Sequence, residues 1–186
     1  MAAGSAANVT TGKHRVDGGI YFAPAGTTLP TDATTTLGSS FTNLGYISED
    51  GVTIQYTRTS EDMKEWNGDV IDTLTTEHGV AFKAKFLESV KPEVLKVIYG
   101  DDNVTVATGG AITVNVNAND LDEYVFVIDT VVKGDRKQRR VFPRGKLTEL
   151  GDVVMSANEA TAFDATITAL VGSDGDKEKL YISAEG

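Results

Sequence analysis

The clearest hydrophobic pattern in this 186-residue chain is an alternation that runs from Val80 to Phe86. Every second position in it is apolar, and alanine or lysine lies between. Successive side chains of a β-strand point to opposite faces, so this spacing predicts a strand with one buried face. The same period recurs from Ala162 to Val171 with threonine on the polar face, which predicts a second strand of this kind.

The longest strand candidate, Leu121 to Val132, has apolar residues on both faces. From Tyr124 onward the even and the odd positions are apolar, apart from Asp129 and Thr130. A strand of this type is covered on both sides in a folded domain. We therefore expect it to lie at the centre of the fold.

Two turn signals divide residues 44–75 into predicted hairpins. The sequence Glu-Asp-Gly at residues 49–51 separates two apolar segments, Leu44 to Ile47 and Val52 to Arg58. Farther on, Asn67-Gly68 suits the positive φ angles of a tight hairpin turn. Residues 58–75 around that second turn carry five acidic and two basic side chains, so we expect this hairpin to protrude from the core.

One helix is predicted, from Pro92 to Tyr99. Proline is favoured in the first turn of a helix, and Gly100 suits the position just past its end. Residues 25–40 are rich in threonine, glycine and serine, which predicts a long loop. The remaining short strand candidates are Gly18 to Pro24, Val104 to Ala107, Ile112 to Val116, Lys137 to Leu147 and Leu180 to Ser183.

Together these elements predict a mainly β fold. We expect two packed antiparallel sheets in a sandwich or barrel-like arrangement, with one short flanking α-helix, the long loop and the protruding hairpin. Residues 1–15 are small and polar, which predicts a flexible N-terminal arm. Residues 16–186 then form a single β domain.

Composition fits such a domain and excludes several classes of protein. The chain is 40% hydrophobic and 24% charged, with no cysteine for disulfides or thiolate metal sites. No stretch approaches the ~18 apolar residues of a membrane span, and the first 15 residues lack the apolar core of a signal peptide. These features favour a protein made and kept in a cytoplasm. The net charge of −10 argues against a general nucleic-acid binder.

Catalytic chemistry has little support in the sequence. His14 and His78 are the only histidines, and His14 lies in the predicted arm, so a histidine triad or a two-histidine metal site is disfavoured. Carboxylates are abundant, but no spacing reports their separation in space, so a paired-acid hydrolase remains a minor alternative. We expect no enzyme, no cofactor and no metal site.

Residues 133–146 form a basic block, with seven basic side chains and one acidic one. Like charges at this density need acidic groups nearby. Three sources stay open: the acidic surface of the same chain, a neighbouring subunit, and nucleic-acid phosphate. Trp66, beside the second turn, is an interface anchor, a packing residue or a sugar-stacking aromatic. The candidate subunit-interface residues are Arg58, Glu61, Asp62, Lys64, Glu65, Trp66, Asp69, Arg136, Lys137, Arg139, Arg140 and Arg144.

A family resemblance rests on the order and spacing of several segments. They are Gly19 to Pro24, Gly26 to Pro30, Asn43 to Val52, Tyr56 to Trp66, and Phe86 to Ser89 leading into the helix that ends at Gly100. In this order they resemble the major tail proteins of long, non-contractile-tailed phages, notably those infecting actinobacteria. The similarity extends more weakly through residues 124–147 to Val171.

The resemblance implies a tail tube subunit with a β-sandwich-like core and a flanking helix. Hexameric rings with a continuous inner barrel would stack into a tube, through which DNA passes without specific binding. Implied partners are further copies of the chain, the tape measure protein, the tail terminator and the distal tail or baseplate proteins, with no membrane and no cofactor. The virion tail is the implied location, after assembly in the host cytoplasm. Some relatives append an immunoglobulin-like C-terminal domain, for which we expect no room here.

A competing hypothesis comes from the binding-module class. In it the chain is a monomeric β-sandwich that binds a carbohydrate or a receptor through Trp66, Tyr56 and the loops. The solution mass distinguishes the two, because a binding module stays monomeric at every concentration.

Overall fold

A computed structural model of the chain describes residues 12–14, 19–133 and 135–184. Its strands are β1 (Lys13–His14), β2 (Ile20–Pro24), β3 (Thr42–Asn43), β4 (Ile47–Lys64), β5 (Val70–Phe86), β6 (Val104–Val106), β7 (Ile112–Val114), β8 (Tyr124–Val132), β9 (Arg136–Leu150), β10 (Phe163–Ala169) and β11 (Lys179–Ile182). The helix α1 (Pro92–Tyr99) is followed by one 3-10 turn (Asp101–Asn103).

The strands of the described residues form two antiparallel sheets. A nine-stranded sheet has the order β3-β2-β8-β9-β10-β5-β4, with β1 paired to β8 and β11 paired to β9. The smaller sheet consists of β6 and β7. The prediction of a mainly β fold with antiparallel sheets and one short helix is confirmed.

The large sheet curls over on itself to enclose a core. Adjacent strands lie about 4.8 Å apart, so a flat sheet would place β5 roughly 14 Å from β8. The rings of Phe82 on β5 and Phe126 on β8 are nevertheless only 5.4 Å apart between centroids. The sandwich-like interior therefore arises from one continuous sheet.

Two apolar clusters lie on opposite faces of this sheet. The main core lies inside the curl, and its largest fully buried members are Ile20, Leu44, Phe82, Phe86, Val94, Phe126, Ile128, Phe142 and Ile167. The loop-side core consists of Ala23, Val125, Val127 and Val141, with the partly buried Tyr21, Leu29, Leu37, Phe41 and Tyr181 packed against it. Strand β8 contributes to both cores, as its two apolar faces predicted.

Helix α1 has the predicted bounds and packs into the main core. Pro92 occupies its first turn, and Gly100 ends it with a φ of 95°, a conformation that side chains disfavour. Its buried residues are Val94, Leu95, Val97 and Ile98. An eight-residue helix is not stable alone, so this apolar face fixes it to the sheet.

The turn predicted at residues 49–51 is wrong. These residues belong to β4, in which Ile47 pairs with Phe86 and Val52 with Ala84, so the extra residues of β4 form a bulge. Gly51 has a φ of 75°, a conformation that glycine supplies in bulges as well as in turns.

Part of the predicted N-terminal arm is paired. Lys13 and His14 form β1 against Val131 and Thr130 of β8. Residues 1–11 and 15 of the predicted arm lie outside the described residues.

Candidate assembly site

The hairpin of β4 and β5 divides into an inner and an outer half. In the inner half, Val52 and Ile54 pack against the main core opposite the buried Ala84 and Phe82. In the outer half, residues 57–78, almost every residue is exposed, and only Glu65 is half-buried. We call residues 57–78 the outer hairpin.

The tip of the outer hairpin has the predicted turn. Gly68 has a φ of 93°, and the Glu65 carboxylate accepts a hydrogen bond from the backbone N–H of Asn67 at 3.0 Å. This turn leaves the side chain of Trp66 completely exposed. The apolar side chains of Met63, Val70, Ile71 and Leu74 are also 47% to 62% exposed on the same hairpin.

Cross-strand contacts provide the internal support of the outer hairpin. Thr73 donates a hydrogen bond to Asp62 at 3.1 Å, and Thr76 donates one to the carbonyl of Thr59 at 3.3 Å. A two-stranded hairpin alone is marginally stable in water. β4 is also the last strand of the sheet order, so its outer edge has no partner strand within the described part of the chain. The other edge, that of β5, is free in this half as well, because β10 pairs with β5 only from Ala81 to Phe86. Within the described part of the chain, the outer hairpin therefore presents two uncovered faces and two free edges.

All the hairpin residues predicted as interface residues are surface-accessible. Arg58, Glu61, Asp62, Lys64, Trp66 and Asp69 are exposed, and Glu65 is half-buried. Among the residues that the structure describes, neither Arg58 nor Lys64 forms an ion pair within the chain. Their charges, like the hairpin acids, are available to a neighbour.

Arg139 in the basic block, one of the predicted interface residues, is buried within its own chain. Its guanidinium donates to both carboxylate oxygens of Asp129, at 2.7 Å and 2.8 Å, and only 2% of the residue is exposed. The hydrogen bonds to Asp129 raise the pKa of Arg139. The remaining nitrogen donates to the backbone carbonyls of Asp32 and Thr35, at 3.0 Å and 2.9 Å. Arg139 thus joins the sheet to the loop over residues 25–41.

The loop has its own turn around Asp32. One carboxylate oxygen accepts hydrogen bonds from the backbone N–H groups of Thr34 and Thr35, each at 2.6 Å. The Thr35 hydroxyl, at 2.6 Å from the other oxygen, and these N–H groups hold the pKa of Asp32 well below its usual range. The same loop lines an open groove of about 540 Å³, with threonine, Leu29 and Phe41 among its walls.

Arg140 lies on the opposite face of β9 from Arg139. It donates to the Tyr56 hydroxyl at 2.9 Å and forms an ion pair with Glu178. Burial lowers the pKa of Arg140, but the hydrogen bond and the charge of Glu178 outweigh burial and raise it. Arg140 therefore also has its acidic partner within the chain.

Two further cations of the basic block are paired internally. Arg144 binds both carboxylate oxygens of Glu123, at 2.8 Å and 3.0 Å, and Lys146 contacts Asp120 at 2.8 Å. Of the three sources considered for the acid, the same chain supplies it for these residues. Arg136 is half-buried and Lys137 is exposed.

One of these pairs could be predicted from the sequence. In a hairpin whose turn is centred at position 134, the numbers of two facing residues add up to 268. Asp129 is therefore expected opposite Arg139, as observed. The partners Glu123 and Glu178 lie 21 and 38 residues from their arginines, and no local spacing identifies them.

The described residues carry no arrangement typical of a metal centre or a membrane helix. Among them no three histidine, cysteine or carboxylate side chains converge on a point that could hold a metal ion. No helix in the described part of the chain has the length and apolar character needed to span a bilayer.

Comparisons with known proteins give one family and two similar structures. A family model described as a phage tail tube protein matches residues 6–185. No curated protein sequence matches the chain. Two similar structures are the extended sheath–tube complex of an extracellular contractile injection system, PVC, and the tube-terminating cap of an anti-feeding prophage. Both have 8% identity and a TM-score of 0.47, covering 92% of this chain and 93% and 92% of theirs.

Proposed function

The chain belongs to the phage tail tube protein family, and from this premise we propose that its copies assemble into hexameric rings through the outer hairpin. The rings stack into the tail tube of a long, non-contractile-tailed phage. Genome DNA leaves the virion through the lumen of that tube. The protein acts as a structural component of the virion tail, without catalysis, and assembles in the host cytoplasm.

The observation that carries this proposal is the outer hairpin. It holds 22 residues, 57–78, on which both faces are exposed and, within the described part of the chain, both edges are free. An edge of this length is a template for pairing with another chain, and ring closure removes such edges. The exposed Trp66 supplies the kind of aromatic anchor that is enriched at interfaces.

The charge of the chain suits a conduit for DNA. Each copy carries a formal charge of −10, so a tube of many copies is strongly acidic. Phosphate repulsion removes the electrostatic attraction that dominates non-specific binding to DNA. A DNA molecule therefore slides through such a tube without being gripped.

Further partners follow from the tube role. The tape measure protein occupies the lumen before ejection, the tail terminator ends the tube, and distal tail or baseplate proteins begin it. Each of them requires surfaces that a ring leaves open at its lumen or its ends.

The test is negative-stain electron microscopy of the purified protein across a range of concentrations, beside light scattering for solution mass. We expect rings or hollow tubes. A monomer at every concentration would contradict self-assembly and favour the binding-module alternative, which a glycan screen would then examine.

A deletion locates the assembly element. Residues 59–77 are replaced by Asn-Gly, which joins Arg58 to His78, a pair that faces each other across the hairpin. We expect a folded monomer whose β circular dichroism signal falls only by the share of the deleted strand residues, and no tubes. Tubes at the wild-type yield would show that assembly uses another surface.

A pair of point variants refines the deletion. Trp66→Ser removes the exposed anchor at the tip, whereas Val116→Ser removes an apolar side chain that is 79% exposed but lies outside the hairpin. We expect Trp66→Ser alone to raise the concentration needed for assembly. Equal effects of the two variants would contradict a specific role for the tip.

A further inference from the structure

The root of the outer hairpin, at Tyr56 and His78 where β4 and β5 leave the core, contacts a segment that is distant in the sequence. Residues 172–179, which we call the clasp turn, form this segment. The Tyr56 hydroxyl donates to Glu178 at 2.7 Å, and the Lys177 ammonium donates to the backbone carbonyl of His78. Each strand of the hairpin is thus held at one point by the clasp turn.

The clasp turn is itself well ordered by internal contacts. The backbone N–H of Gly172 donates to the carbonyl of Asp176 at 2.9 Å, and Asp174 pairs with Lys179. Gly175 has a φ of 87°, which the tight turn requires. A turn closed in this way can serve as a fixed support for what it touches.

Arg140 connects the clasp turn to the sheet. It lies on the same side of β9 as Phe142 of the main core, and its guanidinium reaches both Tyr56 and Glu178. The side chains of Arg140 and Glu178 are only 23% and 9% exposed. Burial and the hydrogen bond to Glu178 raise the pKa of Tyr56, which keeps its hydroxyl protonated. The three side chains therefore contact one another where the outer hairpin begins.

The outer hairpin can keep one direction relative to the core only if side-chain contacts fix its root. Tyr56 pairs with Val80, and the next position along the root is Gly79 opposite Thr57. Glycine leaves the backbone freer there than any other residue would. Just beyond this point Lys177 holds the carbonyl of His78, so the direction of the hairpin depends on this bond and on what fixes Tyr56.

We propose that Arg140 and Glu178 are positioning residues, which hold Tyr56 and thereby aim the outer hairpin for assembly. They act inside one subunit and do not contact a neighbour. This proposal rests on the proposed function only in that the aimed hairpin is the assembly element. The contacts of Tyr56 with Arg140 and Glu178 lie within a single chain, so they can be tested without assembly.

The first experiment measures hydrogen exchange in the monomer. Arg140→Met removes the guanidinium that reaches Tyr56 and Glu178, and Glu178→Gln removes the negative charge of its partner; these are the two clasp variants. Arg144→Met is the matched control, because it breaks an arginine–glutamate pair on the same strand away from the hairpin. We expect the hairpin amides between residues 57 and 78 to exchange on the order of tenfold faster in the clasp variants, the effect of losing a charge-assisted hydrogen bond. Amides of β8 stay protected in all three. Equal exchange in the hairpin of clasp and control variants would overturn the proposal.

Tyr56→Phe gives a second, milder test. It removes the hydroxyl and keeps the ring, so folding is preserved, and we expect faster hairpin exchange in the same residues. Arg140→Lys restores the charge with one nitrogen and should recover part of the protection. Wild-type exchange of the hairpin amides in Tyr56→Phe would overturn the proposal even if Arg140→Met proves unstable.

The second experiment measures tube yield for the same variants by electron microscopy. We expect lower yield from Arg140→Met and Glu178→Gln than from Arg144→Met. If wild-type protein forms no tubes, the proposed function fails while the exchange experiment still decides the clasp. If the clasp variants loosen the hairpin but assemble as well as wild type, the positioning role is overturned and the proposed function stands.

Discussion

The loop over residues 25–41 and the outer hairpin over residues 57–78 are both polar, but they relate to the sheet in opposite ways. The loop returns to the sheet through Leu29, Leu37 and Phe41, which pack on the loop-side core. The hairpin leaves the sheet, and beyond the points where the clasp turn holds Tyr56 and His78 its two strands support each other. Polar composition alone therefore does not decide whether a segment lies on its own subunit or projects from it.

A polar segment lies on its own subunit when it has apolar residues and carbonyl groups that the sheet can bind. The loop offers both, because Arg139 binds two of its carbonyls. The outer hairpin carries its apolar residues in exposed positions that no other part of the described chain covers. We expect changes in the loop anchors to reduce the free energy of unfolding, and changes in the outer hairpin to reduce assembly.

The largest expected effect compares two positions on β5. Phe82→Ala empties a fully buried site in the main core and should cost about 3 to 5 kcal/mol of unfolding free energy. Leu74→Ala, on the outer hairpin and 48% exposed, should cost no more than about 0.5 kcal/mol. Urea denaturation of the monomer measures both. Similar losses would show that the outer hairpin belongs to the cooperative core.

A somewhat smaller effect is expected where the loop meets the sheet. Arg139→Met leaves the buried carboxylate of Asp129 without its partner, which should cost about 3 kcal/mol. The double variant Arg139→Met with Asp129→Leu removes both charges and should recover much of this loss, because an apolar pair of similar volume replaces the ion pair. A double variant as unstable as Arg139→Met would mean that the bonds to the loop carbonyls, rather than the unpaired charge, carry the energy.

The sequence predicted the elements that are determined locally. Pro92 and Gly100 mark both ends of α1, and Asn67-Gly68 marks the hairpin tip, because each residue acts through its own backbone conformation. The two apolar faces of β8 predicted that it is buried on both sides, as it is. The bulge before Val52 could not be distinguished from a turn, since a glycine with positive φ serves both.

The partners of the basic block depend on the three-dimensional arrangement. Arg140 meets Glu178 only because β11 pairs with β9 and the sheet curls to bring β4 near. No periodicity reports a contact of this kind. The same reason explains why Arg139 and Arg140, which are adjacent in sequence, bind two different segments of their own chain.

The smallest expected effect concerns the turn of the loop around Asp32. Its folded pKa lies below the unfolded value of about 3.9, because the hydroxyl and N–H of Thr35 and the N–H of Thr34 bind the carboxylate. A lowered pKa means that this support is fully present above the unfolded pKa and is lost as pH falls through the folded pKa. We expect the amide signals of Thr34 and Thr35 in NMR spectra to stay unchanged from pH 7 to about 4 and to move only at lower pH. Asp32→Asn should remove this pH response while the amide signals of β8 remain as in wild type. A midpoint at the ordinary aspartate value would show that the carboxylate does not hold the turn, and the loop would then depend on Arg139 and its apolar contacts alone.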